Sequence, residues 1–460
     1  MATSPSPCAS LGGSDTRPAG VRPPSEWAPS IPVPRSRQER ALGLLLPGAA
    51  FFLSWWQAGR LPGMNISISD VALFTALALA LVTGGLNARM FARYTALWVA
   101  GLTMLLGGML VGSLVHGDFM RWPIVAGQYA FAMLLVPMLL TSCSRPVLER
   151  CATAYILGVA VSQVIGITLI TLFDRAQVSA LVNEHVVYGN GRLGAMTGEP
   201  NSNGAVCAFA LIFLIRGVMT GRLGTIYALI LALCVIAGLV YSATFTGTFA
   251  ALLACGFVLG LSRLGTFVRI AVPLALIVLA YTSLGGPVPS IFEERVGEAL
   301  MTGDPTRAGT FVGRSALIVE AWQLADDHLL IGLGSDGYRV ASPHGMPVHQ
   351  LYLLVLNEGG IVSFLGLCLM ALALLLQGKA IAGVSRIEGI SCLAILAVFF
   401  IYTMSLPHMF ARLWNGPVML MFALAWIATR SAQGLAAGGD RMAYGPGPGL
   451  ASGSRHQQLT

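Results

Sequence analysis

Long apolar runs separated by polar connections cover most of this 460-residue chain. A helix needs about 20 mostly apolar residues to cross a hydrocarbon layer about 30 Å thick. By that criterion the pattern predicts about twelve transmembrane helices, at residues 41–57, 69–86, 94–114, 122–142, 152–173, 204–220, 224–242, 246–262, 266–284, 350–377, 388–406 and 413–430. We therefore expect an all-α, polytopic membrane protein.

Two of the connections are long and polar, residues 174–203 and 285–349. Charged side chains are rare inside the apolar runs, where they would be expensive, and they collect in these connections. The second connection contains GRSALIVEAWQLADDHLL, whose spacing predicts a helix with an apolar and a polar face that lies at the membrane surface. We therefore predict one transmembrane domain over residues 41–430, with short helices in its large outer connection.

Basic residues assign a side to each connection. Arg and Lys collect in the tails and in every second connection, for example at Arg89, Arg145, Arg222 and Lys379, and the positive-inside rule places such connections in the cytoplasm. The tails at residues 1–40 and 431–460 are rich in Pro, Ser and Gly, which predicts disordered cytoplasmic segments. Both long connections then face the outer side of the membrane.

Composition excludes several classes of protein. The chain is 55% hydrophobic and 10% charged, whereas a soluble globular domain is roughly 25% charged. Its pI near 9.1 has no accompanying basic stripe interleaved with aromatic residues, so we predict no nucleic-acid partner. The eight cysteines show no CxxC spacing, so neither a zinc site nor a disulfide framework is indicated.

The first long connection ends in RLGAMTGEPNSNG, which predicts a turn followed by a helix start that Asn201, Ser202 or Asn203 could cap. Most of this connection is typical of an ordinary surface loop. Arg192 is different, because it lies beside a helix start whose backbone N–H groups suit an anion such as phosphate.

In the second connection, Arg314 has two interpretations. It contacts lipid headgroups or a surface carboxylate, or its planar guanidinium binds a phosphate ester through two hydrogen bonds. The run Asp326, Asp327, His328 is better explained as the end of a helix than as a metal site, because consecutive helical residues point in different directions. We therefore predict no bound metal.

The stretch PVHQLYLLVLNEGG places His349 at the entrance of an apolar run. Such a histidine is either an interfacial polar residue or a general base near neutral pH. A helical i, i+3 spacing predicts that His349 and Tyr352 share a face. Glu358 falls roughly opposite His349, so we expect Asn357 and Glu358 to be structural, with a local helix irregularity near Gly360.

These motifs, in this order, resemble the O-antigen ligase and polymerase family of membrane glycosyltransferases. The resemblance rests on His349 and Gln350 followed after nine residues by Gly360, on Arg192, Gly198, Pro200 and Asn201 before a helix, and on Asp70 at the start of the second run. Ser363 stands where many members have a second glycine. Residues 242–250 lack the arginine of a Ser-Arg-Gly element found in many members, a role that the resemblance leaves to another residue such as Arg412.

The resemblance implies metal-independent, inverting glycosyl transfer without a cofactor, at the periplasmic face of the bacterial inner membrane. The donor would be a glycan on undecaprenyl pyrophosphate, and the acceptor a sugar hydroxyl of a polysaccharide. Arg192 and Arg314 would bind the donor pyrophosphate, and His349 would take the acceptor proton or orient the hydroxyl. Further substrate contacts are expected from Tyr352, Gln350, Asn201 and Arg412.

Several functions remain open inside and outside this family. Polymerisation of a surface polysaccharide or exopolysaccharide is favoured over ligation of O-antigen to lipid A core, and glycosylation of protein is a third outcome. Other polysaccharide assembly proteins are expected partners, together with the lipid bilayer. A twelve-span transporter or flippase is the alternative of another class, but its polar residues would lie at mid-membrane and its sequence would show repeats.

Overall fold

The structure is a computed structural model that describes residues 37–60, 66–83, 85–261, 264–286, 288–303, 311–405, 407 and 410–443. Within these ranges the side chains of 37, 38, 264, 266, 278, 282, 300, 311–314 and 431–443 are not described. The predicted tails therefore lie largely outside the described residues. The regular elements of the described residues are all helical, as predicted, and the extended contacts among them are two isolated β-bridges.

The α-helices follow one another along the chain with mostly short connections. They are α1 (Arg37–Phe51), α2 (Ile68–Val82), α3 (Thr95–Val115), α4 (Arg121–Ala130), α5 (Val136–Thr141), α6 (Arg145–Leu172), α7 (Arg175–Leu181), α8 (Pro200–Met219), α9 (Thr225–Ser242), α10 (Phe245–Gly260), α11 (Leu264–Ser283), α12 (Ser290–Phe292), α13 (Glu298–Thr302), α14 (Phe311–Asp327), α15 (Gly337–Ala341), α16 (Leu351–Val384), α17 (Arg386–Thr403) and α18 (Arg412–Ala443). A π-helical turn, Phe131–Leu135, joins α4 to α5.

Seven helical segments among the described residues are long and apolar enough to cross a membrane. They are Ala92–Val115, Arg121–Thr141, Arg145–Leu172, Pro200–Met219, Thr225–Ser242, Leu351–Val384 and Arg386–Thr403. Shorter apolar helices occupy Ile68–Val82, Phe245–Gly260 and Phe267–Tyr281. These lengths and compositions are those of a membrane protein, whereas the number of spans and the side of each connection stay predictions.

Polar residues bring helix ends together at two places in the bundle. One end, here the Arg216 end, joins the start of α6, the end of α8 and the start of α17. Arg216 is buried there and bonds two carboxylates: Nη1 donates to Glu149 at 2.9 Å, and Nε donates to Glu388 at 2.7 Å. The other end, here the Arg192 end, joins the starts of α8, α10 and α16 to the ends of α9 and α17. Apolar side chains fill the space between them.

Helix α16 is broken at Gly360, which has φ 64° and ψ −167°. This φ lies in the left-handed region that glycine adopts without strain. Residues 329–334 enter the break: Leu333 N donates to the Asn357 carbonyl at 2.7 Å, and Ile361 N donates to the Leu329 carbonyl at 2.8 Å. The irregularity predicted near Gly360 is confirmed, and its cause is this inserted segment.

Candidate functional site

Arg192 is buried in the first long connection, at the Arg192 end of the bundle. A tight turn presents it, because the Tyr188 N–H donates to the Arg192 carbonyl at 2.9 Å and Gly191 has a left-handed φ of 78°. Arg192 Nε donates to the Ser242 carbonyl at 2.9 Å, and Nη2 donates to Asn201 Oδ1 at 3.2 Å. These two neutral oxygens, from the end of α9 and the start of α8, help to orient the guanidinium.

Helix α8 begins with Pro200, whose missing N–H is harmless in the first turn. Glu199 caps it, accepting hydrogen bonds from the backbone N–H groups of Asn201 at 3.0 Å and Ser202 at 2.6 Å. The prediction that Asn201, Ser202 or Asn203 is the cap is wrong, because Glu199 is the cap and its side chain reaches forward to the N–H groups of the first turn. A carboxylate therefore already occupies two of the N–H groups that the sequence suggested for an anion.

Tyr188 experiences the charges at this helix start. Burial first, and then the charge of Glu199, raise the pKa of its phenol, while Arg192 acts in the opposite direction. Tyr188 is therefore protonated at neutral pH and can donate a hydrogen bond. Glu199 and Arg192 act on the same group, so an anion approaching Arg192 also meets the field of a carboxylate.

Amide and hydroxyl groups from α6, α8 and α10 form a buried belt beside Arg192. Gln163 Nε2 donates to Asn203 Oδ1 at 2.8 Å, and Asn203 Nδ2 donates back to Gln163 Oε1 at 3.0 Å. Thr244 Oγ1 donates to Asn201 Oδ1 at 3.2 Å. Buried amides persist in apolar surroundings when they are hydrogen-bonded in this way. The belt fixes the relative positions of the start of α8, which carries Asn201, and of the neighbouring α6 and α10.

The last turn of α17 packs against this belt through Tyr402, which is fully buried. Its hydroxyl lies so close to Gly204 and Gly247 that a Cβ atom at these positions would approach it to 2.9 Å and 2.6 Å. Glycine at both positions is therefore required for the ring to fit between α8 and α10.

The same turn of α17 contacts the start of α16. Thr403 Oγ1 and Tyr352 Oη are hydrogen-bonded at 2.8 Å, and Gln350 Nε2 lies 3.6 Å from Met404 Sδ. Arg192 and Asn201 on one side, with Gln350 and Tyr352 on the other, are thereby grouped around residues 402–404. Sequence separation gives no hint of this grouping.

His349 is half-buried and immediately precedes α16. The helix begins at Leu351, and Gln350 has extended backbone with φ −153° and ψ 112°. The predicted helical face shared by His349 and Tyr352 is therefore wrong, because the chain is not helical between them. Val348, fully buried, anchors the segment. His349 lies at the entrance of a membrane-length helix.

Arg412 is buried at the start of α18 and is bound to Asp70. Its Nε and Nη2 each donate to an Asp70 carboxylate oxygen at 2.6 Å, and its guanidinium stacks on the Trp56 ring at 4.8 Å. Asp70 also completes a capping box with Ser67 at the start of α2. These contacts use Arg412 to join α2 and α18.

Helix α14 confirms the helix predicted in the second connection and ends at Asp327, as expected from the sequence. The backbone of Arg314 lies in this helix, but its side chain is outside the described residues. Asn357 Nδ2 donates to the Ala321 carbonyl at 2.9 Å, which ties α14 to α16. The structural role expected of Asn357 is thus observed.

Sequence reasoning missed Gln163, Glu199, Thr244 and Tyr402. A glutamine inside an apolar run is a signal that could have been used, because polar side chains in such runs need partners. The other three contribute through contacts between helices far apart in sequence, which no local pattern records.

Among the described residues, no group of three or more His, Cys, Asp or Glu side chains could hold a metal ion. No protein-family model matches the chain, and no curated protein matches it.

Proposed function

We propose that this protein is a membrane glycosyltransferase that acts at the periplasmic face of the bacterial inner membrane, with both termini in the cytoplasm. The donor is a glycan on undecaprenyl pyrophosphate, and the product is a longer surface polysaccharide or exopolysaccharide. The observation that carries this proposal is the grouping of Arg192, Asn201, Gln350 and Tyr352 around the last turn of α17, with His349 beside them. The grouping lies at the ends of membrane-length helices, which supports the proposal that a polyprenyl lipid meets water there.

The proposed roles follow from the chemistry of each side chain. Arg192 and Arg314 bind the donor pyrophosphate and stabilise the negative charge that builds as it leaves, an electrostatic task that needs no metal or cofactor. His349 contacts the acceptor hydroxyl, to orient it or to accept its proton. Gln350, Tyr352 and Asn201 contact sugar hydroxyls. We assign Arg412 to holding Asp70 rather than to the donor.

The negative charge of Glu199 near Arg192 sets a limit on the donor position. A pyrophosphate bound at the α8 start itself would face this carboxylate. We therefore propose that the phosphates meet Arg192 from the side of α17, and that Glu199 keeps the first turn of α8 closed to them.

The direct test is a transfer assay with purified protein in lipid nanodiscs and a lipid-pyrophosphate-linked repeat unit as donor. We expect His349→Ala to lower the transfer rate about 100-fold or more. Arg192→Ala should weaken donor binding, and Arg222→Ala, an exposed arginine at the Arg216 end, is the matched control that retains full rate. Chelation with EDTA should leave the rate unchanged. Full activity in both His349→Ala and Arg192→Ala would overturn the assigned roles.

A deletion strain distinguishes the outcomes within and outside the family. Loss of long polymer with single repeats remaining indicates a polymerase, which is the expected result. Accumulation of finished lipid-linked polymer indicates a ligase. Accumulation of lipid-linked units on the cytoplasmic side indicates a flippase and would overturn glycosyl transfer.

A further inference from the structure

A second histidine of the outer connection has a partner arrangement typical of an imidazole base. His344 Nε2 lies 3.5 Å from Glu320 Oε2, and the other oxygen of that carboxylate accepts a hydrogen bond from Tyr338 Oη at 3.3 Å. An exposed imidazole, a half-buried carboxylate and a buried phenol therefore follow one another. Nucleophile–base–orienting chains of this kind are how proteins prepare a side chain for proton transfer.

Tyr338 is the end of this His344–Glu320–Tyr338 series that packs in the protein interior. Tyr338 is fully buried in a hydrophobic cluster with Ala321 and Val348, which unites α14, α15 and the start of α16. Burial first, and then the charge of Glu320, raise the pKa of Tyr338 to about 12, so its hydroxyl stays protonated and donates to Glu320. The carboxylate is thereby held with one oxygen directed at His344.

The turn that carries His344 is also ordered. The His344 backbone N–H donates to Ser342 Oγ at 3.3 Å, and Gly345 N donates to the Ser342 carbonyl at 3.0 Å. Gly345 adopts a left-handed φ of 61°, which closes the turn. With Nε2 directed at Glu320, Nδ1 is the nitrogen that remains for an incoming proton, on a side chain that is 59% exposed.

A second His–Glu contact in the chain shows what sets this one apart. His185 Nε2 and Glu184 Oε1 are also 3.5 Å apart, but these are adjacent residues and the Glu184 carboxylate is 70% exposed. The Glu320 carboxylate is only 19% exposed and comes from another helix. A solvated pair of neighbours is an ordinary surface contact, whereas Glu320 is half-buried and accepts a hydrogen bond from a buried phenol.

We propose that His344 is the group that accepts the proton of the acceptor hydroxyl, with Glu320 and Tyr338 as its positioning residues. This rests on the proposed glycosyl transfer and leaves His349 to orient the hydroxyl. The two histidines share one segment, and its length limits their Cα atoms to at most about 18 Å apart. The buried Val348 holds that segment on the cluster beneath both of them.

The acceptor oxygen forms a bond to the anomeric carbon while the bond from that carbon to the phosphate oxygen breaks. The pyrophosphate leaves with the bonding electron pair as undecaprenyl pyrophosphate. The hydroxyl proton passes to Nδ1 of His344 and then to water, and the imidazolium formed is stabilised by Glu320 while it carries the charge.

The test compares His344→Ala and Glu320→Gln with His185→Ala and Glu184→Gln, the matched solvated pair, in the nanodisc transfer assay. We expect His344→Ala to lower the transfer rate about 100-fold or more without changing donor binding. Glu320→Gln should lower the rate less, both control variants should keep the wild-type rate, and added imidazole should restore part of the activity of His344→Ala. If His344 had only a structural role, added imidazole would not restore the activity of His344→Ala.

A labelling experiment examines contact with the acceptor directly. Diethyl pyrocarbonate modifies accessible imidazoles, and mass spectrometry reports each site. We expect the lipid-linked acceptor to protect His344 but not His185. Equal labelling of His344 with and without acceptor, or wild-type transfer by His344→Ala, would overturn this inference alone, whereas absence of transfer by the wild-type protein would overturn the proposed function with it.

Discussion

Two buried arginines at opposite ends of the bundle, Arg192 and Arg216, are held in different ways. Arg216, on α8, donates to the carboxylates of Glu149 on α6 and Glu388 on α17, and these carboxylates balance its charge inside the protein. Two of the contacts that orient Arg192 are to a backbone carbonyl and an amide oxygen. An arginine bound by two carboxylates contributes mainly to the fold, and we propose that Arg192, held in part by neutral oxygens, binds an anion.

Arg412 shows that the position of an arginine in the bundle does not decide whether it stabilises the fold or binds an anion. It lies near the Arg192 end, yet its bidentate pair with Asp70 places it in the same group as Arg216. Close carboxylate partners therefore identify Arg216 and Arg412 as stabilising arginines better than their location in the bundle does.

The largest effect on stability should come from Arg216→Met. Removing the guanidinium leaves the buried Glu388 carboxylate without its arginine and takes two hydrogen bonds from the half-buried Glu149. Breaking a buried ion pair in this way destabilises a protein by about 3–5 kcal/mol. Thermal unfolding in detergent should therefore shift to clearly lower temperature. Arg222→Met, whose exposed side chain lies 3.7 Å from the same Glu149, is the control and should unfold as wild type. An unchanged melting temperature for Arg216→Met would refute the stabilising role.

A smaller loss of stability should follow Gly360→Ala, at the break in α16. Gly383→Ala, near the end of the same helix, provides the comparison. At Gly360 a Cβ atom would meet the Leu330 carbonyl at 2.6 Å with a left-handed φ, so we expect a loss of about 1–3 kcal/mol. Gly383 in the same helix has open space around its Cβ position. Gly383→Ala should be neutral or stabilising by about 0.5–1 kcal/mol. Equal stability of the two variants would show that the break at Gly360 is not required.

Arg192→Met is the direct counterpart of Arg216→Met and should destabilise less. It leaves the Ser242 carbonyl and the Asn201 amide with one donor fewer each, a loss of about 1–3 kcal/mol. Its donor binding should fall in the transfer assay, although the folded protein is recovered in normal yield. If Arg192→Met unfolds as readily as Arg216→Met, the distinction between the two arginines fails.

The smallest effect is expected from Tyr352→Phe, which removes one hydrogen bond between α16 and α17. A single bond of this kind contributes about 0.5–1.5 kcal/mol. Thermal unfolding of the variant should show a loss of that size. Thr403→Val should show a larger one, because the Thr403 hydroxyl also donates to the Phe400 carbonyl at 2.6 Å. The double variant should add little beyond Thr403→Val alone, because that change already removes the contact between the Tyr352 and Thr403 hydroxyls. Fully additive losses would show that the two hydroxyls act independently.

Local patterns were enough for the helices but not for their ends. The helix containing Arg314 was predicted with its end at Asp327, and the break near Gly360 was predicted from paired glycines. The cap of α8 and the start of α16 were not predicted correctly. The side chain of Glu199 reaches the N–H groups of the first turn, and the backbone of Gln350 is extended. Both depend on backbone geometry that hydrophobic spacing does not record.

The hydrophobic pattern by itself determined that this chain is helical and membrane-like, because apolar runs of that length can satisfy their backbone groups in a bilayer only within the helix. It also marked His349, Arg192 and Arg314 as polar residues in need of an explanation. Only the tertiary structure decided which arginines are paired with carboxylates, how α17 joins Arg192 to Tyr352, and how Glu320 meets His344. Such contacts join side chains that are distant in sequence, and the packing of whole helices sets them.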